Sequence, residues 1–187
     1  MTVKEVLCEA AKMLGETDVV NYLSDKIPDD AEYCEEVAAE LLRCYNIITD
    51  LIACEYLPLL TCERFDVTDN KIEYSKFAKK PVRIKNVVGE NGEKVPYKAF
   101  IGYLELRHGM VTVEYEFKPE PQLTEEEAYF GDGIIGSYVL GYGIASEYCI
   151  GHGRIDEAEV WDGKFADSLR ARVAEKRQLK IKSRKWC

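Results

Sequence analysis

The chain has 187 residues, of which 47% are hydrophobic and 32% are charged, and its formal net charge is -9 at neutral pH. This composition supplies enough apolar material for a core and excludes wholesale disorder. No segment is the long uncharged apolar run of a spanning helix, and Glu5 and Glu9 interrupt the apolar pattern of the N-terminus, which excludes a signal peptide. We therefore expect a protein that stays in the cytosol where it is made and has no membrane partner.

The first segment, residues 1–60, has helical periodicity. Val6, Ala10 and Met13 recur at helical spacing, and Gly15 ends this helix. A short second helical piece follows, and residues 28–30, Pro-Asp-Asp, supply capping acids for a long third helix that Pro58 closes. We expect its buried stripe to consist of Tyr33, Val37, Leu41, Cys44, Ile48, Leu51 and Glu55.

The second segment, residues 61–122, changes to the period of strands. The runs KIEYSKF and PVRIKNVV alternate apolar and polar residues. Asn91-Gly92 stands between two such runs and predicts a β-hairpin turn. In MVTVEYEF the residues on one face are Val111, Val113, Tyr115 and Phe117. Arg107-His108-Gly109 is the expected turn before this last strand.

The third segment, residues 123–177, is expected to be a helical hairpin. Thr124 and Glu127 have the spacing of a capping box. The first helix contains IIGSYVLGYGIASEYCI and the second buries Ala158, Trp161, Phe165, Leu169 and Val173. Gly141 and Gly143 inside the first helix indicate a close approach, either by Trp161 of the return helix or by another subunit. Residues 178–187 follow as an extended basic tail.

Cys149 and His152 form a C-x-x-H motif at the bend of this hairpin. Zinc needs four ligands, and the other histidine, His108, has no cysteine nearby in sequence. A nucleophilic Cys-His pair would need an orienting group and an oxyanion hole. The favoured interpretation is a buried thiol and a solvent-facing turn histidine, with Gly151 at the helix C-cap.

No catalytic signature is present: the chain has no G-x-S-x-G, H-E-x-x-H, P-loop or dinucleotide-binding motif. Its seven cysteines are odd in number and scattered, which argues against a disulfide framework. We expect no enzyme activity, no catalytic residue, no metal and no cofactor, although a paired-carboxylate site stays open.

The charge is distributed unevenly along the chain. Residues 1–66 contain 15 acids and 5 bases, whereas residues 176–187 contain 6 bases and no acid. The acidic body should repel nucleic acid, and the basic tail predicts a partner-binding segment.

The order of helices, inserted strand module, helical hairpin and basic terminus resembles the head-tail adaptor (connector) proteins of tailed bacteriophages. Two stretches carry the resemblance. One is GSYVLGYGIASEYCIGHGRIDEAEVWDGKFADSL followed by KIKSRKWC, and the other is RIKNVVGENGEKVPYKAFIGYLEL. The resemblance implies an α+β fold: a helical bundle of long helices and a C-terminal helical hairpin, with an inserted antiparallel β-hairpin module and an extended basic C-terminal tail.

The same resemblance implies a structural role in the virion, which is assembled in the host cytoplasm. Such proteins form a homo-oligomeric ring, commonly dodecameric, between the portal protein and a tail or tail-nozzle protein. DNA passes through the ring without specific binding, and an acidic lumen would suit that passage.

The resemblance gives the tail a purpose, namely docking on the portal. Its alternating pattern could add as a strand to a portal sheet, with an aromatic anchor and bases that meet acidic portal residues. The residues expected to bind the portal are Leu179, Lys180, Ile181, Lys182, Arg184, Lys185 and Trp186.

Three other interpretations stay open. The chain could be a head-completion or tail-terminator protein of the virion, with different neighbours. It could be a small cytosolic enzyme with a cysteine or carboxylate site. It could also be a nucleic-acid-binding module that uses its basic tail.

Overall fold

The computed structural model describes residues 1–107, 109–130 and 135–178, with side chains up to residue 174. The described chain combines five α-helices with two small antiparallel sheets, which confirms the expected mixture of helices and antiparallel strands. It divides into a helical unit, Met1–Leu51 with Pro121–Cys187, and a strand unit, Ile52–Glu120.

The first two helices begin and end where local sequence signals place them. α1 spans Val3–Leu14, and Thr2 and Glu5 form a reciprocal capping box at its start. Gly15 has φ 78°, a left-handed conformation that glycine adopts without steric cost, and it ends the helix as predicted. α2 spans Thr17–Leu23 and corresponds to the predicted short second piece.

The long helix α3 spans Ala31–Leu51, and Asp30 caps it as expected, because its Oδ1 accepts the Tyr33 backbone N–H at 3.0 Å. The predicted buried stripe is wrong at its start. Tyr33 is 43% exposed and its hydroxyl donates to Glu16, whereas Cys34 is buried. The helix also ends before Glu55, because a π-helical turn occupies Ile52–Tyr56. The buried residues are Cys34, Val37, Leu41, Cys44, Tyr45, Ile48 and Thr49.

The predicted helix start at Thr124 is wrong. Residues 124–127 form a turn, and Glu127 pairs with Thr2 in an isolated antiparallel bridge. Backbone carbonyls of this segment therefore accept hydrogen bonds from the N-terminus of α1. The Val3 N–H donates to Glu126 O and the Lys4 N–H donates to Thr124 O, both at 2.9 Å. The [ST]-x-x-E spacing identifies a helix start only when an amphipathic helix follows it directly, and here it does not.

A buried polar network holds the same segment against α3. The Tyr45 hydroxyl donates to Gln122 Oε1 at 2.5 Å, and Gln122 Nε2 donates to Glu127 O at 2.5 Å. Asn46 completes the network, since its Oδ1 accepts the Gln122 backbone N–H at 2.8 Å. Burial raises the pKa of Tyr45 to about 12, so the phenol stays protonated and remains a hydrogen-bond donor at neutral pH.

Helix α4, Ser137–Gly151, is the central helix of the helical unit and packs against α1, α3 and α5. The apolar residues of α4 are spread over nearly all sides of the helix, as expected of a helix that is buried among others. A Cβ at Gly141 would lie 3.2 Å from the Met13 methyl carbon, and one at Gly143 would lie 3.0 Å from Ile48 Cγ2. The glycines therefore do permit a close approach within the chain, by α1 at Gly141 and by α3 and the return helix at Gly143. The neighbour on the return helix is Phe165, whose Cε2 would lie 3.1 Å from that Cβ, and not Trp161.

Helix α5, Ile155–Gln178, returns along α4 after a tight turn. Gly153, with φ 70°, supplies the left-handed residue of that turn, so the expected C-cap at Gly151 is wrong and the helix continues through it. The predicted stripe is confirmed at Ala158, Phe165 and Leu169, which are buried. Trp161 and Val173 are only partly buried.

The strand unit contains two three-stranded antiparallel sheets. The first has the order β1 (Leu59–Val67), β6 (Gly109–Phe117), β3 (Pro81–Gly89), and the second has the order β2 (Lys71–Glu73), β5 (Tyr103–Leu106), β4 (Tyr97–Ala99). The predicted inward face of β6 is confirmed, because Val111, Val113, Tyr115 and Phe117 are all buried. On its other face Glu116 is also buried, and Lys85 Nζ lies 2.5 Å from its carboxylate.

Two strand predictions need correction. The Asn91-Gly92 turn is present, and Val95 N–H donates to Val87 O at 2.9 Å, but the returning chain soon leaves β3 and β4 pairs with β5 in the other sheet. The run KIEYSKF forms only the short strand β2, because residues Tyr74–Lys76 turn into a 3₁₀-helix. Phe77 then enters the core of the strand unit against Phe65 and Tyr115.

The packing around α4 leads to a stability prediction. A Cβ at Gly143 would lie 3.0 Å from Ile48 Cγ2 and 3.1 Å from Phe165 Cε2, so Gly143→Val overpacks a core contact between three helices. We expect it to lower the free energy of unfolding by about 1–3 kcal/mol. The measurement is urea denaturation followed by far-UV circular dichroism.

Gly163→Val is the matched control. Gly163 is an exposed glycine within α5, and a Cβ there meets no atom within 4 Å. The same substitution should therefore change stability by less than about 0.5 kcal/mol. Equal losses at the two positions would contradict the assignment of Gly143 to a close helix contact.

Candidate functional site

Cys149, the first member of the C-x-x-H motif, lies on the buried side of α4 and is fully inaccessible to solvent. Burial raises the pKa of its thiol above the ordinary value, although the positive charge of Arg154 acts in the opposite direction. The thiolate is the reactive form of cysteine, so this thiol is held in its unreactive form at neutral pH. The prediction of a buried thiol is confirmed.

His152 is exposed in the turn, as the sequence predicts, but it also makes contacts that the sequence did not predict. Its ring stacks on Tyr148 with 4.2 Å between the centroids, and its Nδ1 lies 2.9 Å from the Tyr148 carbonyl oxygen. Its Nε2 lies 3.5 Å from a carboxylate oxygen of Glu40 on α3. The Arg154 guanidinium lies over the ring of Tyr148, with its Cζ 5.6 Å from the ring centre. These contacts fasten the α4–α5 turn to α3.

The geometry of this turn favours neither metal binding nor nucleophilic catalysis. Cys149 is buried in the helix packing, while His152 makes its contacts with Tyr148 and Glu40. Across residues 1–107, 109–130 and 135–178, no three His, Cys, Asp or Glu side chains are grouped so that they could hold a metal ion. The motif therefore has a structural explanation in the packing of α4 and the α4–α5 turn.

The residues predicted to dock on the portal, Leu179, Lys180, Ile181, Lys182, Arg184, Lys185 and Trp186, lie outside the described residues, and so does His108. Portal docking by this segment stays a prediction from sequence. So does the assignment of His108 to a turn, although the strands on either side, β5 and β6, are in place.

The cavities of the two units do not bring together a reactive set of described residues. One of about 180 Å³ in the strand unit is lined by Arg64, Glu90, Met110 and the neighbouring residues Gly89, Gly92, Val111 and Thr112. Another of about 390 Å³ in the helical unit is lined by Lys4, Asp25, Glu35 and apolar residues of α3. Lys4 is already paired there, since its Nζ lies 2.8 Å from Asp25 Oδ1. Exposed charges of this kind are ordinary surface ion pairs.

The most distinctive surface of the helical unit is formed where α4 and α5 run side by side. Three rings line up across the two helices: Tyr138 packs edge-on against Tyr142 at 6.0 Å, and Tyr142 stacks on Trp161 at 5.8 Å. Tyr138 is 41% exposed, and the other two rings are partly buried. Aromatic residues in such partly exposed arrays are enriched where proteins bind one another.

Two cations complete this surface. Lys164 Nζ lies 4.2 Å from the centre of the Trp161 ring, and an Arg172 Nη2–H donates to the Tyr138 hydroxyl at 3.1 Å. A cation over an aromatic face at an exposed site contributes about 0.5–1 kcal/mol, which favours this position of the Lys164 side chain. We call Tyr138, Tyr142, Trp161, Lys164 and Arg172 the aromatic–cation patch.

Sequence reasoning missed this patch because it assigned Trp161 to the buried stripe of α5. The spacing of four α5 residues in the sequence does indicate the patch. Trp161, Lys164, Ser168 and Arg172 step by 3, 4 and 4 and form a stripe beside the buried one. From Trp161 to Arg172 that stripe contains two cations and no acid, and the next step of three residues reaches Glu175. The other α5 acids occupy other positions: Asp156, Glu157, Glu159, Asp162 and Asp167.

A second exposed apolar feature lies at the β4–β5 loop of the strand unit. Ile101 is fully exposed, and Phe100 is 42% exposed and stacks on Tyr103 at 5.0 Å. Gly102, with φ 92°, makes the bend, and its carbonyl accepts the Tyr74 backbone N–H at 2.9 Å. The loop therefore presents an apolar tip on a backbone that hydrogen bonds hold in place.

Among the helices that the structure describes, none is long and apolar enough to traverse a lipid bilayer. No model of a known protein family matches the chain, and no curated protein matches it in sequence.

The burial of Cys149 leads to a chemical prediction. In the folded protein at pH 7, iodoacetamide should modify exposed Cys62 at least tenfold faster than Cys149, because Cys149 is both inaccessible and protonated. Cys44, whose pKa burial raises to about 11, should be protected as well. Peptide mass spectrometry over time gives the rates, with urea-unfolded protein as the control in which the differences vanish. Rapid native modification of Cys149 would restore the possibility of a reactive thiol.

Proposed function

We propose that this chain is a structural protein of the tailed-bacteriophage virion, a head-tail adaptor that forms a ring between the portal and the tail. The proposal starts from the sequence resemblance in residues 136–169, followed by 180–187, and in residues 83–106. The first of these stretches forms α4, the α4–α5 turn and most of α5, and the second runs from β3 to β5. The first stretch contains two helices packed side by side, which supports the proposal, whereas in the second stretch β4 pairs with β5 rather than with β3.

In this proposal the fold is a helical bundle with a β-hairpin module inserted between α3 and α4 and an extended basic tail after α5. Two observations support it. The strand unit, Ile52–Glu120, is one continuous segment of sequence inserted between the two parts of the helical unit. In addition, α4 packs against α1, α3 and α5, so that helices from both ends of the chain build one core.

The observation that carries the proposal is where the chain places its distinctive side chains. Ile27 and Ile101 are 96% and 102% exposed, and Val160 is 55% exposed, on three different elements. The aromatic–cation patch adds a fourth outward-facing surface. Exposed apolar side chains on several faces are expected of a protein that contacts several partners at once.

Charge supports the part of the proposal that concerns DNA. Each subunit carries a formal charge of -9, and a ring multiplies that charge around its lumen. A negative potential repels DNA phosphates, so a genome can pass without binding. The same argument weighs against the alternative of a nucleic-acid-binding module.

The remaining partners follow from the sequence. We propose that residues 179–187 dock on the portal, with bases and an aromatic anchor, while other surfaces meet a tail or tail-nozzle protein. Assembly in the host cytoplasm and residence in the virion belong to the same proposal, as does the absence of enzymatic activity.

The test is reconstitution with the portal protein encoded in the same genome. The full-length chain should bind purified portal particles and form a ring visible by electron microscopy. Deletion of Lys180–Cys187 should weaken binding at least tenfold, whereas replacing the surface residue Arg170 by alanine should leave it unchanged. Circular dichroism of the deletion variant controls for folding.

Each alternative has its own outcome in this experiment. Binding to completed tails but not to portals would favour a tail-terminator protein, and binding only to portals that already carry an adaptor would favour a head-completion protein. Purified virions that lack the polypeptide would refute a structural role altogether.

A further inference from the structure

We infer that the aromatic–cation patch binds the acidic start of α3 on a second copy of this chain. This segment comprises residues 27–36 and is called here the acidic segment. Such a contact would join neighbouring subunits of the proposed ring and therefore rests on that function. It nevertheless makes a separate claim, because it predicts association of the purified chain without portal, tail or DNA.

The patch is already ordered for binding within one subunit. Its rings are fixed by mutual packing, with 5.8 Å between Tyr142 and Trp161, and Arg172 is tied to the Tyr138 hydroxyl at 3.1 Å. Ordering long side chains beforehand removes part of the entropy cost of association. Lys164 remains solvent-exposed while it lies over Trp161, so its charge is available to a partner.

The patch calls for a partner that is both apolar and acidic. The rings offer an apolar surface, and the exposed Lys164 ammonium at its edge would meet carboxylates. On α5 the nearby base Arg170 is already engaged by Asp167 at 3.5 Å and Arg172 by the Tyr138 hydroxyl, whereas the exposed Lys164 presents its charge to a partner. A partner surface that carried only negative charges would remain hydrated and would leave the rings of the patch exposed to water. A purely charged partner is therefore a poor fit.

The acidic segment of a second copy has both properties. It contains five acids and no base, and its apolar residue Ile27 is 96% exposed. Tyr33, which is 43% exposed, adds a second partly apolar contact. Three of the acids, Glu32, Glu35 and Glu36, are exposed on α3 and form no ion pair with any base in the described part of the chain. The acids of the segment are Asp29, Asp30, Glu32, Glu35 and Glu36.

The two surfaces stay uncovered within a single chain. Ile27 and Tyr138 both remain exposed while α4 and α5 are packed, so the folded subunit does not satisfy either surface itself. They are also different surfaces, so contact between copies is heterologous: each subunit offers its patch to one neighbour and its acidic segment to the other. Heterologous contacts generate closed rings or open filaments rather than symmetric dimers.

The experiment is analytical ultracentrifugation of the purified chain from about 5 to 500 µM at low and high salt. The chain should associate in a concentration-dependent way, and raising the salt from about 50 to 500 mM should weaken association at least tenfold, since opposite charges carry part of the contact. Lys164→Glu should weaken it at least tenfold. The matched control, Arg170→Glu, makes the same charge change on the same helix outside the patch and should have less than a twofold effect.

Mixing two defective variants tests the pairing of the surfaces. One variant carries Lys164→Glu in the patch, and the other carries Ile27→Ser, Glu32→Gln and Glu36→Gln in the acidic segment. Each alone should be monomeric at the lowest concentrations at which the native chain associates. Together they should form a one-to-one dimer that does not grow, because each supplies one intact surface. Circular dichroism shows whether both variants remain folded.

Three outcomes would overturn the inference. The native chain could remain monomeric at 500 µM, the two variants could fail to dimerise, or the Arg170→Glu control could weaken association as much as Lys164→Glu. Tight binding of a twenty-nucleotide thymidine oligomer that Lys164→Glu abolishes would instead identify a nucleic-acid surface. None of these results affects portal binding, so failure here is distinguishable from failure of the proposed adaptor role.

Discussion

The close packing of α4 is the constraint on which the helical unit depends. A helix surrounded by α1, α3 and α5 has little room for side chains, and Gly141 and Gly143 remove them where Met13, Ile48 and Phe165 approach. Glycine in a helix costs about 0.5–1 kcal/mol relative to alanine, so these positions are stable only because the packing around them offsets that cost. The position of α5, and with it the aromatic–cation patch, follows from this contact.

The chain reaches α4 through a segment that has no regular structure of its own. Residues 121–130 are held by the Tyr45–Gln122–Asn46 network and by backbone bonds to the start of α1. Buried polar groups that are fully paired specify one arrangement, because any displacement would leave a donor or acceptor unsatisfied. This network therefore fixes where the chain re-enters the helical unit.

Local signals made part of this fold predictable. The boundaries of α1, the cap at Asp30, the inward face of β6 and three of the five predicted buried positions of α5 all depend on residues within one element and its immediate neighbours. The errors involve competition between distant partners. Thr124 and Glu127 have the spacing of a capping box, yet α1 offers their backbone a bridge. Tyr97–Ala99 follows a hairpin turn, yet it pairs with β5. The patch escaped prediction for the same reason, since Tyr142 and Trp161 meet only when two helices pack.

The same distinction between local and distant determinants bears on function. C-x-x-H draws attention because its residues are near in sequence, but burial keeps the Cys149 thiol protonated and His152 is engaged by Tyr148 and Glu40. Chemistry that requires a thiolate or a free imidazole has no support at this turn. The exposed rings and isoleucines, by contrast, carry an unfavourable hydration cost in an isolated subunit. In the proposed assembly these side chains would be buried, which would offset that cost, and the acids around them would select which surface meets which, since like charges repel the wrong pairings.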